Sequence, residues 1–304
     1  MMNPTKIVTV VSKNDKNNVA IKRAAMIAQR FSAKLMVIMC AYDQSFEMTS
    51  IMKDTDRENL RDAIIQEKEK VLGEIIERHV PKEIEYDQQV LWGSREYELI
   101  RQYCVEKISD LLVKYVKHES TLSRLFFTPQ DWHIIREVPC NILFVQGEGW
   151  RPQGNIIAAV SADDDDAHHL RLNNHIINTS LFLSEKFDAQ VHVTNVYPYP
   201  LVDVPFAYSG IDHEMYCKNM RESHEESTKK LVVEKPIADE NLHIIEGLPE
   251  EAIPNLAQQI NAELVVMGTV ARKGLSGAVI GNTAERILDK INCDVLAIKL
   301  NEVT

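Results

Sequence analysis

The chain has 304 residues, 45% of them hydrophobic, and a formal net charge of -11. That length suits two domains rather than one, each with enough apolar residues for its own core. A field of that sign repels phosphate backbones, which sets nucleic acid aside as a general partner, and no apolar run approaches the ~20 residues that a bilayer span needs. The opening residues Met1-Met-Asn-Pro-Thr-Lys6 lead directly into a strand-like run, without the layout of a signal peptide. A cytoplasmic chain with no membrane partner is therefore expected. Five scattered cysteines, Cys40, Cys104, Cys140, Cys217 and Cys293, form no CxxC pair; they read as small buried hydrophobes in a reducing compartment.

In chain order, apolar runs predict strands near 6–11, 34–40, 84–91, 110–115 and 141–145. Between them, helical periodicity predicts helices near 17–31, 55–79, 95–107 and 129–137. Ile21, Ala24, Ala25, Ala28 and Phe31 repeat at the spacing of one helix face. Thr128-Pro129-Gln-Asp131 reads as a helix start: a capping hydroxyl, a proline that needs no N–H partner, and an acid in the first turn.

The order then repeats. Asp110-Leu-Leu-Val113 matches Glu263-Leu-Val-Val266, an offset of 153 (263 − 110). The same offset matches Cys140-Asn-Ile-Leu-Phe-Val145 to Cys293-Asp-Val-Leu-Ala-Ile298. Ile7–Ser12 resembles Ile156–Ser161, and Ala33–Ile38 resembles Ala189–Thr194. Collinear matches of this kind mark a duplication. Strands alternating with helices imply parallel strands joined by right-handed crossovers, and uniformly apolar strands are those covered on both faces. The expected fold is α/β: two tandem open parallel five-stranded sheets with helices on both faces. Residues 1–146 form the first domain, 147–154 a Gly-rich polar linker, and 155–304 the second domain.

The segment Gly268-Thr-Val-Ala271-Arg-Lys-Gly-Leu-Ser-Gly-Ala-Val-Ile-Gly281-Asn282-Thr283-Ala-Glu285 follows a strand-like run and precedes a helical pattern. Strand, glycine-bearing loop and helix start can turn unpartnered amides toward an anion; ordinary turn chemistry accounts for the same residues equally well. Asn282 and Glu285 offer a capping pair for the helix. Asp163–Asp166, followed by Ala167, His168 and His169, admits a metal reading, but the spacing fits no standard motif and capping explains it better. No metal ligands and no catalytic residues are therefore assigned. His168 and His175 read as a solvated or half-buried pair. Tyr197–Tyr208 is apolar for a loop and reads as the cover of a ligand or of an interface.

These segments resemble the universal stress proteins, whose nucleotide loop runs Gly, two residues, Gly, nine residues, Gly, then Ser or Thr. Here the frame is Gly268, Ala271, Gly281 and Asn282, with Thr283 next. Ala271 and Asn282 depart from that pattern. The family's aspartate after the first strand is replaced by Ser12 in one half and Ser161 in the other. The resemblance covers both halves. It implies five parallel strands per domain in an adenine nucleotide alpha hydrolase-like fold, a ligand crevice between the first and fourth strands, and a role in stress responses. It also implies pairing of domains through the last strand, here an internal pseudo-dimer with the strands at 141–145 and 294–298 antiparallel. Cys140 and Cys293 would then lie at opposite ends of the pair.

In the first half Tyr115, His118 and Thr128 stand at the three glycine positions, so that site reads as lost, and its loop as solvated. In the second half the resemblance assigns Gly268, Ala271, Gly281, Asn282, Thr283 and Ser161 to a cofactor, ATP with Mg. The expected function is non-enzymatic ligand sensing in the cytoplasm. A slow ATPase or nucleotidyl-transfer enzyme, a ligand-free interaction module, and assembly into a homo-oligomer stay open.

Overall fold

The structure, a computed structural model, describes residues 3–43, 53–119, 124–147, 149–162, 167–198, 213–269 and 281–300. In the first half β1 (Lys6–Val10), β2 (Lys34–Ala41), β3 (Tyr86–Trp92), β4 (Leu111–Tyr115) and β7 (Asn141–Val145) alternate, among the described residues, with four helices. These are α1 (Val19–Phe31), α2 (Asp54–His79), α3 (Glu96–Lys107) and α4 (Pro129–Glu137). β5 (Lys117–Glu119) and β6 (Arg124–Phe126) form a separate antiparallel ribbon between β4 and α4. That ribbon corrects the reading of this stretch as an open solvated loop: backbone pairing between Lys117 and Phe126 and between His118 and Leu125 satisfies groups that a loop would leave to water.

The second half repeats the layout. Its strands are β8 (Asn155–Val160), β9 (Gln190–Tyr197), β10 (Leu242–Glu246), β11 (Ala262–Gly268) and β12 (Asp294–Ile298). Its helices are α5 (Ala167–Phe187), α6 (His213–Val232), α7 (Pro249–Gln259) and α8 (Asn282–Lys290).

α1 starts at Val19, two residues later than the periodicity suggested. The cause is local: Asp15 accepts from the amides of Val19 and Ala20 at 2.8 Å each, and Asn18 turns through the left-handed region. A buried carboxylate thus satisfies two amides that the helix itself cannot.

Both halves join in one ten-stranded sheet, in the order β10-β9-β8-β11-β12-β7-β4-β1-β2-β3. Within this sheet, among the described residues, every pairing inside a half is parallel, and the antiparallel pairing joins β7 to β12, with Leu143 opposite Leu296. The internal pseudo-dimer expected from the repeat is therefore present. α1, α2, α5 and α6 contribute to the core on one face, and α3, α4, α7 and α8 to the core on the other.

The junction obeys the repeat. Asn141 accepts from the amide of Lys299 at 2.9 Å, and its equivalent Asp294 accepts from the amide of Gln146 at 3.0 Å. Asp294 does more than its counterpart. Fully buried, it also binds the Arg23 guanidinium of α1 and the Trp150 indole N–H at 2.9 Å. Trp150 lies over that guanidinium at 4.7 Å and packs edge-on against Phe187 at 5.0 Å. A second ion pair, Arg136 with Glu285, crosses the junction on the opposite helix layer. Cys140 and Cys293 precede β7 and β12 at opposite ends of this antiparallel pair, and both thiols are free.

Candidate ligand crevice in the second half

Strand order reverses between β1 and β4 in the first half and between β8 and β11 in the second. Open parallel sheets bind ligands at such points, beyond the carboxyl ends of the strands. The two equivalent crevices are built differently.

In the first half the helix entry is closed from within. The Thr128 hydroxyl accepts from the Asp131 amide at 3.3 Å, and Asp131 Oδ2 accepts from the amide and hydroxyl of Thr128 at 2.7 Å each. The other oxygen, Asp131 Oδ1, accepts from Lys114 Nζ at 2.8 Å, while Glu96 stands 3.9 Å from the same ammonium. Asp131 is 2% exposed and Lys114 8%. A carboxylate of the chain itself therefore occupies the positive end of α4. Pro129 removes a further donor, and half-buried Tyr115 stands at the strand end, its hydroxyl pushed up by burial. The first-turn acid was legible in the sequence. Its pairing with Lys114 was not, although the repeat held the signal: both charges are lost together, as Met267 and Ala284, at the offset of 153.

In the second half Gly281 is the cap of α8, with φ −65°, and among the described residues no side chain caps the helix. A Cβ built at Gly281 would meet none of the described residues within 4 Å. Asn282 is the first helical residue rather than the cap, and Glu285 turns away to Arg136 of the first half. The expected Asn282–Glu285 capping pair is therefore not formed; the ion pair across the junction takes the carboxylate. Thr283 is exposed in the first turn.

Gly268, at the end of β11, has a packing reason of its own. A Cβ there would come within 2.6 Å of Leu172 Cδ2 on α5. Ser161 follows β8 with its side chain exposed and its backbone held. Buried Asn173 accepts from the Ser161 amide at 3.2 Å and donates to the Ser161 carbonyl at 2.6 Å.

A second buried amide, Asn195, accepts from the amide of Ala162 at 3.3 Å. Its Nδ2 then faces Thr228 Oγ1 at 3.1 Å and His224 Nδ1 at 3.2 Å. Since Nδ2 can only donate, His224 Nδ1 accepts and the ring carries its proton on Nε2. Tyr197 stacks on His224 at 4.8 Å. Sequence reasoning missed this polar floor; the visible trace was two asparagines set among apolar strand and helix positions.

The model of the universal stress protein family matches residues 4–146 and again 156–299. The chain belongs to the universal stress protein family.

Among the relatives, universal stress protein E of Salmonella typhi is 31% identical over 297 residues, covering 97% of this chain and 94% of that one. Universal stress protein E of Escherichia coli strain K12 is 30% identical over 294 residues, covering 96% and 93%. A putative universal stress protein from Pseudomonas aeruginosa UCBPP-PA14 superposes with a TM-score of 0.73 at 26% identity, covering 98% of this chain and 94% of that one. A universal stress protein from Archaeoglobus fulgidus DSM 4304, 13% identical, shares the fold with a TM-score of 0.65.

Within this universal stress protein, Ala271, the run Asp163–Asp166 and residues 199–208 of the apolar loop lie outside the described residues. His168 and His175 are both half-buried on α5, and burial lowers the His175 pKa. Burial pushes the Cys40 thiol up to about 12 and raises Cys293 as well. Cys104 is raised by its contact with Cys140 and by burial. Such thiols are poor nucleophiles. Among the described residues no helix is long and apolar enough to cross a membrane.

Proposed function

We propose that this universal stress protein works in the cytoplasmic stress response without catalysing a reaction, and that it senses an adenine nucleotide, ATP with Mg²⁺, through its second half. The observation that carries the reading is the contrast at the two helix entries. α4 is capped by Thr128 and Asp131, whereas α8 begins at a glycine over which none of the described residues stands within 4 Å of a Cβ. Backbone amides in that position suit phosphate oxygens. Gly281, Asn282 and Thr283 would lie nearest the phosphates, with Gly268 and Ser161 at the adjoining strand ends and Ala271 assigned to the same ligand from the sequence. Ala271 and Ser161 depart from the family pattern, so affinity should be weak.

The test is calorimetric titration of the full chain with Mg-ATP. Binding by the wild type, lost in Gly281→Val and kept or improved in Ala271→Gly, supports the reading. Binding that survives Gly281→Val places the nucleotide elsewhere. Release of inorganic phosphate above background would replace sensing by slow ATPase activity.

A second reading, a ligand-free interaction module, has its own support. Leu172 explains why position 268 is glycine, and Asn173 already occupies the Ser161 backbone. Absence of any heat at millimolar nucleotide would favour it.

A further inference from the structure

At the edge of the sheet, away from the crevice, two histidines face each other. His192 on β9 is 8% exposed. Its Nδ1 lies 3.0 Å from Nε2 of His243 on the edge strand β10, and its Nε2 lies 3.1 Å from Asn155 Oδ1 on β8. The rings stack at 5.2 Å. Asn155 Nδ2 donates to the Ile260 carbonyl at 2.6 Å, which fixes the amide orientation. Oδ1 of Asn155 must then accept, so His192 carries its proton on Nε2 and presents a bare Nδ1 to His243. His243 in turn donates from Nε2.

This chain of bonds closes with both rings neutral. One added proton is accommodated, because a single N–H can lie between the facing nitrogens if His243 changes tautomer. A second is not: two N–H groups would point at each other across 3.0 Å. Among the described residues the surroundings offer no compensating anion to His192. β8 contributes Asn155, which is neutral. Ile157, the register partner of His192, lies in the apolar layer that α7 covers with Ile253, Leu256 and Ala257. The acids of α7, Glu250 and Glu251, are engaged by Arg286 and Lys290 of α8. Around His243 the charged groups are Arg221, Glu225 and Lys229 of α6 and Asp239 before β10, which line one cleft with it; Lys229 and Glu225 are paired at 2.7 Å.

We propose that His192 and His243 form a one-proton lock that fastens β10 to the sheet and releases it when the second ring is protonated. The sign follows from the environment. Burial, and for His192 also the neighbouring ring, lowers both pKa values from the ordinary histidine range. The contribution of the neutral pair is complete above that range and is lost as pH falls through the lowered values. Release would bare the β9 edge, and an unpaired strand edge is a template for pairing with another chain.

The molecule carries its own control. At the opposite edge, β3 pairs with β2 in the equivalent register, and Met36 and Gln89 stand where His192 and His243 stand. The experiment is hydrogen exchange of the full chain from about pH 7.5 to about pH 5, the range in which histidines titrate, corrected for intrinsic exchange. Amides of 242–247 should exchange about tenfold faster per pH unit once the second proton binds, while those of 86–92 hold constant. In His243→Gln, which can still donate to His192 but takes no proton, 242–247 should be insensitive to pH. Nitrogen spectra of the imidazoles should find the His192 proton on Nε2 at the upper pH. Constant protection of 242–247, simultaneous loss at both edges, or a proton on His192 Nδ1 would each overturn the lock. If the variant does not fold, the wild-type exchange and the spectra decide.

Discussion

The two crevices differ in what occupies the start of a helix. In the first half Asp131 sits over the first turn of α4, held by Lys114 from the strand beside it. In the second half the same positions are Ala284 and Met267, and among the described residues nothing stands over Gly281 at the entry to α8. The backbone is shared; the charge is not. A duplicated fold therefore gives two equivalent crevices, and in the first of them the Lys114–Asp131 pair lies at the helix entry.

Breaking the filled copy should have the largest effect. Asp131→Ala removes the carboxylate half of the capping box of α4 and leaves the Lys114 ammonium buried, with Glu96 at 3.9 Å. Orphaning one member of a buried pair costs about 3–5 kcal/mol, and urea unfolding should show a loss of that size. Replacing both members, as Lys114→Met with Asp131→Ala, restores the residues of the second half and should recover most of it. Building the pair into the second half, as Met267→Lys with Ala284→Asp, should abolish Mg-ATP binding in the titration. Nucleotide binding that survives this transplant would show that the entry to α8 is not the seat.

The next effect separates packing from ligand access at Gly268. A methyl group there would collide with Leu172 Cδ2 at 2.6 Å. Overpacking of this kind costs about 1–3 kcal/mol. Gly268→Ala should lower stability by that amount without nucleotide present, and Leu172→Ala in the same chain should reduce the penalty. An undiminished melting temperature in Gly268→Ala would mean that the glycine is kept for the ligand alone. Gly281→Val should behave in the opposite way. Its φ suits any residue and a Cβ there meets none of the described residues within 4 Å, so the cost is the loss of cap quality, about 1 kcal/mol or less, while nucleotide binding disappears.

Much of the fold was legible because it rests on short-range rules. Apolar runs marked the strands of the first half to within about two residues, and Thr128-Pro129-Gln-Asp131 marked the start of α4. The repeat offset of 153 placed β7 and β12 as equivalents, and the resemblance implied the antiparallel pairing that joins them. The polar partnerships were not legible, because they join residues far apart in sequence. Arg23 reaches Asp294, Lys114 reaches Asp131, and Asn173 reaches back to Ser161. Periodicity shows that such residues face inward and says nothing about what they meet. Glu285 was assigned to a local cap for the same reason, while its partner Arg136 lies in the other half.

The smallest expected effect sharpens the comparison at a site with no ligand. After α3 the chain turns through the left-handed region at Ile108, with φ 51° and 75% of its surface exposed. The equivalent turn after α7 uses Asn261, also at φ 51°. Asparagine adopts this conformation readily, whereas a β-branched residue crowds its own backbone there. The exposed isoleucine buries little surface in exchange. Ile108→Asn should therefore stabilise the protein by about 0.5 kcal/mol, and Ile108→Gly by about 1 kcal/mol. The reverse change, Asn261→Ile, should destabilise by a similar amount. Urea midpoints at constant slope measure all three. A loss of stability in Ile108→Gly would mean that the side chain makes contacts in solution that its exposure does not suggest. The left-handed turn would then be retained to present that isoleucine rather than merely tolerated.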